Sequence, residues 1–286
     1  MNVMKYLTLF LASCAFFGLS VQGQRKVVAV GAVKLNDSIK QASKAEGRLV
    51  QMNRVVEALD GQLVNSLNGT RKFEVIARSD LGSLIQEGGV AGAGLQVGGS
   101  DYLLVATVDD FQDYTQTATF GSVGKTATKR VIRFGAVGKV YDSASGKLIE
   151  SASFQISNKD ISNVLVNAAD NGELSDELLR EIAVKMANQI TTRVVDVIYP
   201  AKVVARTAEQ VTINRGDGTG IASGQLWEAF AVGEEIIDPD TGESLGGNEV
   251  LVGSIRITRV TATLSFGTVV DDYGIAKGVI VRSKVE

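Results

Sequence analysis

The chain has 286 residues, 45% hydrophobic and 21% charged, with a formal net charge of −3. It contains no histidine, and its single cysteine, Cys14, lies in the N-terminal apolar stretch. Ser-His-Asp and Cys-His nucleophile systems and Cys/His zinc sites are therefore excluded, which closes most of the enzyme space, while carboxylate-only chemistry survives.

Residues 1–23 read as a secretory signal, with Lys5 as the positive n-region, 6–21 as the apolar core and Val21-Gln22-Gly23 as a small-residue cleavage site before Gln24. A second reading takes Leu11-Ala12-Ser13-Cys14 as a lipobox, which makes Cys14 a candidate lipidation site. The apolar run continues past Cys14 through residues 15–19, where a lipoprotein leader normally turns polar, so cleavage before Gln24 is the favoured ending. The run is also shorter than the ~20 apolar residues of a membrane span.

The mature chain opens with an apolar, β-branched run at 26–33 (KVVAVGAV), as expected of a strand covered on both faces. A polar loop follows. Leu49, Met52, Val56, Leu59, Leu63 and Leu67 then recur at helical spacing up to a stop at Asn68-Gly69. Residues 73–77 read as a strand, and Ser79 as the cap of a short helix that buries Leu81, Leu84 and Ile85. The glycine-rich stretch 88–99 reads as a connector, and 102–108 (YLLVATV) as a third strand. The polar segment 115–129 is either a long hairpin tip or unstructured. Two strands, 130–141 and 148–156, flank the turn Asp142-Ser143-Ala144-Ser145-Gly146. A long helix capped by Ser175 follows, with Leu178, Ile182, Met186, Ile190, Val194 and Val197 on one face, and Pro200 sets its limit.

Beyond residue 200 the helical period disappears. Short strands at 202–206, 210–214, 225–231, 251–260, 263–269 and 278–282 alternate with Gly/Asp turns. Six strands in under ninety residues predict a small closed barrel that removes the free edges. The expected organisation is thus α+β: a signal peptide (1–23), an α/β sandwich domain (24–200) and an SH3-like all-β barrel (201–286).

The chemical motifs are weak. Residues 120–126 (FGSVGKT) approach a phosphate loop, but the required first glycine is Thr119 and the segment lies between strands. Residues 94–99 (GLQVGG) do not follow a strand and open a helix, as a dinucleotide loop would. Asp109, Asp110 and Asp113, and again Asp238, Asp240 and Glu243, form acidic clusters without the spacing of a calcium loop. A carboxylate-dependent hydrolase would need two of these groups, or one with Glu74, to converge in a cleft. Trp227, the sole tryptophan, fits core packing. The residues mark out no catalytic centre, metal site or cofactor, and no Lys/Arg block is present to hold nucleic acid.

The segments 27–33, 73–81 (FEVIARSDL), 97–104 (VGGSDYLL) and 141–148 (YDSASGKL) together resemble the family of the curli secretion channel subunit (CsgG-like), itself similar to the N-terminal domain of TolB and to lipoprotein activators of peptidoglycan synthases. The tail, with 211–214, 216–224 (GDGTGIASG) and 238–245, is similar to the C-terminal barrel of flagellar assembly protein T. These resemblances imply a non-catalytic envelope protein, periplasmic or outer-membrane-associated, that acts on other envelope proteins or on copies of itself. Recognition would use the exposed sheet edges and the loops at 88–99 and 113–129. The alternatives they imply are a ring-forming channel subunit and an activator of peptidoglycan synthesis. The channel family carries long membrane hairpins, whereas 115–129 is short and lacks the alternation of a lipid-facing strand.

Overall fold

The computed structural model describes residues 24–78, 99–120, 125–161, 175–242 and 244–284. The leader with Cys14, the helix expected after Ser79 and nearly all of the 88–99 connector lie outside the described residues.

The first half is built on a mixed sheet. β1 (Lys26–Val30) runs parallel to both of its neighbours, β3 (Phe73–Ala77) and β4 (Tyr102–Phe120). The short β2 (Lys34–Leu35) also pairs with β4. Parallel neighbours need a long crossover, and α1 (Asp37–Ala45) and α2 (Leu49–Gly69) supply it between β2 and β3. β4, β5 (Lys125–Asp142) and β6 (Leu148–Ser157) continue the sheet as an antiparallel meander.

The helix stripes read from the sequence meet this sheet. Met52, Val55, Leu59, Leu63 and Leu67 of α2 are buried. In α3 (Asp176–Ile198), Leu178, Ile182, Met186, Ile190 and Val194 are buried, joined by Leu179, Ala183, Ala187 and Val195. The two helices pack along each other, α2 beside β3 and α3 beside β5 and β6. On β4 and β5 the inward residues follow the period of two: Leu104, Ala106 and Val108, then Ile132, Phe134 and Ala136. All belong to one cluster.

Two local readings change. The polar segment before α2 contains α1, whose nine residues include a single large apolar side chain, Ile39. Its order comes from the end: the Asn36 side chain accepts a hydrogen bond from the Ser38 amide, with Asp37 in the first turn and Lys44 in the last. The polar stretch after residue 108 continues β4 and β5, paired from Tyr102 with Asp142 out to Phe120 with Lys125. Main-chain hydrogen bonds sustain this pairing without an apolar alternation.

The second half contains six antiparallel strands: β7 (Val203–Thr207), β8 (Gln210–Ile213), β9 (Leu226–Ile237), β10 (Ser244–Val260), β11 (Ser265–Asp272) and β12 (Ile280–Ser283). Their order is β12-β9-β10-β11-β8-β7. This overturns the expected SH3-like barrel, and with it the resemblance of the tail to flagellar assembly protein T. The sheet is open. Its two ends meet at one bridge, Lys202 with Ile280, and no ladder follows. The reason is local: residues 203 and 201 face β12, and the next residue on that side, Tyr199, already donates its amide to the Val195 carbonyl at the end of the helix. The α/β sandwich expected for the first half is likewise replaced by an α+β arrangement of a mixed sheet with three helices among the described residues.

A separate core serves the second sheet: Val203, Val211, Ile213, Trp227, Ala229, Ile255, Ile257 and Val281, among others. Gly253 marks the bulge where β10 bends. Its φ is 146°, and an added Cβ would stand 2.2 Å from the Asp271 carbonyl oxygen, so only glycine fits without moving the backbone.

Ser175 sets the start of α3 by accepting a hydrogen bond from the Leu178 amide, 3.2 Å. Ser175→Ala is expected to lower stability by about 1 kcal/mol, read as an earlier urea midpoint with an unchanged slope.

Candidate functional site

The acidic clusters come first, because carboxylate chemistry survives the absence of histidine. Asp113 and Arg130, each about a tenth exposed, pair through two 2.8 Å hydrogen bonds across the β4–β5 hairpin. Arg48 reaches the same carboxylate at 3.9 Å and lies 5.3 Å from the centre of the Phe111 ring. Asp110 is engaged by Arg133. In the β9–β10 turn, Asp238 accepts from the amides of Asp240 and Thr241, which holds its carboxyl below the ordinary range. These groups are committed to cross-strand pairing or to turn formation, as solvated acidic residues usually are. Among the described residues, no group of three or more His, Cys, Asp or Glu side chains could hold a metal ion. Glu74 sits exposed on β3. Glu243 lies outside the described residues.

The surface holds a more distinctive feature. β9 is paired with β12 only through Trp227–Phe230, and β10 with β11 only from Gly253 onward. Beyond those points β9 and β10 run on together as a two-stranded ribbon, from Ala231 opposite Val250 to Ile237 opposite Ser244. Among the described residues, neither outer edge of this ribbon has a strand partner. Val232, Ile236, Ile237 and Val250 on it are each about half exposed. Residues 232–250 also carry Glu234, Glu235, Asp238, Asp240, Glu243 and Glu249, with no lysine or arginine. The ribbon is therefore acidic and apolar at once.

The third feature is the seam between the two sheets. Arg215 follows β8 and has no exposed surface. One guanidinium nitrogen, Nη2, donates to Asp196 near the end of α3, while Nε and Nη1 have no partner. Lys72 donates to the Asn214 carbonyl, 2.7 Å. Burial pulls the Lys72 ammonium below its ordinary pKa, and the Arg215 charge adds to that. Burial also raises the Asp196 carboxyl, against the pull of Arg215 and Arg193. Gly220, at φ 81°, comes so close to Thr192 that a Cβ would sit 2.6 Å from the threonine methyl. A cavity of about 360 Å³ opens beside this seam, lined by Thr192, Arg193, Asp196, Trp227, Arg282 and Ser283 among others.

The structure thus gives Asp110, Asp113 and Asp238 separate structural roles. Of the expected recognition segments, it describes the β4–β5 hairpin apart from residues 121–124 and only the last residue of the 88–99 loop. Sequence reasoning missed the ribbon and the seam. The ribbon had a usable signal in the apolar pairs Ile236-Ile237 and Val250-Leu251 on either side of an acidic turn. Arg215, in the run Asn214-Arg215-Gly216-Asp217-Gly218, has the look of a solvated turn and gave none.

No protein-family model matches the chain. It is 28% identical over 115 residues to a Neisseria meningitidis serogroup B protein named "Putative lipoprotein NMB1126/NMB1164", a match that takes in 39% of this chain and 49% of that one. The chain therefore spans about half the length of the curated relative it matches. Among solved structures, lipoprotein GNA1162 of Neisseria meningitidis is similar at 15% identity over 51% of this chain and 96% of its own, with a TM-score of 0.25. TolB of Acinetobacter baumannii is similar at 9% identity over 92% of this chain and 61% of its own, with a TM-score of 0.28. The resemblance to the curli channel family falls with these findings: no family model supports it, and what stands is a loose similarity to TolB and to envelope lipoproteins.

The seam makes a direct prediction. Asp196→Asn leaves the Arg215 charge buried without its anion, and stability is expected to fall. Because Asp196 keeps nearly half of its side chain exposed, the loss is set at about 1–3 kcal/mol, below the 3–5 of a fully buried pair. Adding Arg215→Met should recover much of the loss. A double mutant no more stable than Asp196→Asn in urea unfolding would show that the pair is not what limits the seam.

Proposed function

We propose that the chain is a periplasmic binding protein of the cell envelope that engages another protein chain through the β9–β10 ribbon. The observation that carries this reading is the set of half-exposed apolar side chains on a ribbon whose two edges have no strand partner among the described residues. Open edges of this kind are ordinarily blunted or covered. A two-stranded ribbon is marginal in water by itself and gains stability when something packs on it. The acidic residues keep the free ribbon soluble and disfavour acidic partners. In this reading residues 24–200 and 201–286 are the two domains of a structural or accessory component, which works with other envelope proteins or with further copies of itself, and no cofactor takes part.

A photo-crosslinking residue placed at Ile236 or Val250 in cells should give discrete adducts, while the same residue at Val50, exposed on α2, should not. The same pattern at all three positions would remove the ribbon as the interaction surface. Light scattering on the purified adduct distinguishes a second copy from a different chain.

A second reading concerns attachment. Leu11-Ala12-Ser13-Cys14 fits a lipobox, and the Neisseria relative carries "lipoprotein" in its name. Acylation of Cys14 would tether the protein to the outer membrane; two acyl chains suffice for stable anchoring. Among the described residues, no helix is long and apolar enough to cross a membrane. The expected result of intact mass measurement on envelope-extracted protein is an unmodified start at Gln24, and a start at acylated Cys14 would replace it with the anchored form.

A further inference from the structure

The edge of β12 holds a second opening that the ribbon does not use. Lys284 donates its amide to the Leu226 carbonyl on the β9 side, 2.9 Å. Val281 donates in the opposite direction, to the Ala201 carbonyl, also 2.9 Å. Main-chain groups alternate sides along an antiparallel strand. Arg282 therefore faces β9 with Lys284, and the Ser283 amide faces outward with Val281. So does the Val281 carbonyl.

On that outer side the opposing chain runs out. Beyond the bridge between Lys202 and Ile280, Ala201 accepts from Val281, and the next residue on that side, Tyr199, gives its amide to the Val195 carbonyl of α3. The wedge left between the parting chains is the cavity of about 360 Å³ lined by Pro200, Val281 and Ser283, within the roughly 300–1,000 Å³ of ligand pockets. Trp227 forms part of its wall.

Charge selects the occupant. Arg193 lines the cavity with half of its side chain exposed, and Nη2 alone is engaged, by Glu150 at 3.1 Å. Arg282 spends both terminal nitrogens on Glu249. Asp196, one helical turn beyond Arg193, is held by Arg215. Among the described residues, Arg193 is thus a cation at the cavity with donors left for a ligand, and a guanidinium suits a carboxylate.

We propose that this wedge is a strand-addition site, which takes the extended C-terminal end of a partner protein beside β12 and holds its terminal carboxylate at Arg193. Main-chain pairing with Val281 and Ser283 supplies the strand contacts, and Arg193 sets the preference for a chain end. The site is independent of the ribbon, so either can fail alone.

The test uses the whole mature chain, residues 24–286, and the probe acetyl-Thr-Val-Thr-Val with a free C-terminus. Trp227 is the sole tryptophan, so its fluorescence reports the cavity directly, and the Ser283 amide is followed by nuclear magnetic resonance. The expected result is a saturable change in both signals, with the C-terminal amide of the same peptide binding about tenfold more weakly, equivalent to ~1.4 kcal/mol. Arg193→Gln should erase the difference between acid and amide. Ser283→Pro removes the outward amide alone and should weaken both peptides. Absence of a saturable change, equal binding of acid and amide, or unchanged binding to a folded Ser283→Pro variant would each overturn the proposal. If that variant does not fold, the Ser283 amide in the unmodified chain decides: a Trp227 response with no Ser283 shift overturns strand addition.

Discussion

The buried guanidinium of Arg215 is the constraint around which the two halves are arranged. Removing a full charge from water is costly unless it is paired, and Arg215 obtains its anion from the other half of the molecule, Asp196 on α3. The pairing fixes where β8 ends relative to the last turns of α3. Lys72, bonded to the Asn214 carbonyl, and the close approach of Gly220 to Thr192 settle around the same point. The two cores are otherwise separate clusters. A polar seam gives them a specific relative placement that a purely apolar contact would define less sharply. It does so at a cost in desolvation, visible in the raised Asp196 carboxyl and the lowered Lys72 ammonium.

The sign of that cost matters for pH. Asp196 titrates higher in the fold than in an unfolded chain, so its contribution is fully present below its unfolded pKa and is lost as pH rises through its folded value. Asp101, with its carboxyl held down first by the Val27 amide and then by Lys26, behaves in the opposite sense: its contribution is present above the unfolded value and lost as pH falls through the folded one. Seam and surface pairs therefore respond to acidification in opposite directions, and surface pairs are individually weak.

What could be read in the sequence follows from how local each signal is. α3 was legible because its cap, its acidic first turn and its apolar stripe from Leu178 to Val194 lie within one continuous stretch. The hairpin at Asp142 was legible for the same reason: the Asp142 carboxylate accepts from the Ser145 amide and hydroxyl, and Gly146 takes φ 69°. α1 was not, because with one large apolar residue its stripe is too thin to register and only the cap at Asn36 marks it. Burial of Arg215 was invisible because its cause, Asp196, acts across the fold. The acidic clusters misled in a different way. A run of carboxylates looks the same in sequence whether it binds a cation or pairs with arginines on the next strand, and only the cross-strand register of Asp113 with Ile132 and its neighbours decides it.

The barrel expectation failed for a reason that also explains the cavity. Strand count was sufficient, but closure depends on a ladder between the first and last strands, and that is a property of a few residues. β12 is four residues long, and on the chain facing it the Tyr199 amide is spent on the Val195 carbonyl at the end of the helix. The helix that ends at Ile198 thus takes up the main-chain donor that a closing ladder would have needed. A barrel would have buried the outward groups of Val281 and Ser283 against a neighbouring strand. In the open sheet the Val281 carbonyl and the Ser283 amide have no strand partner among the described residues, on the sheet side of a cavity whose helical wall carries Arg193. The feature that defeats the simple topological count is therefore the one that leaves main-chain donors and acceptors available to another chain.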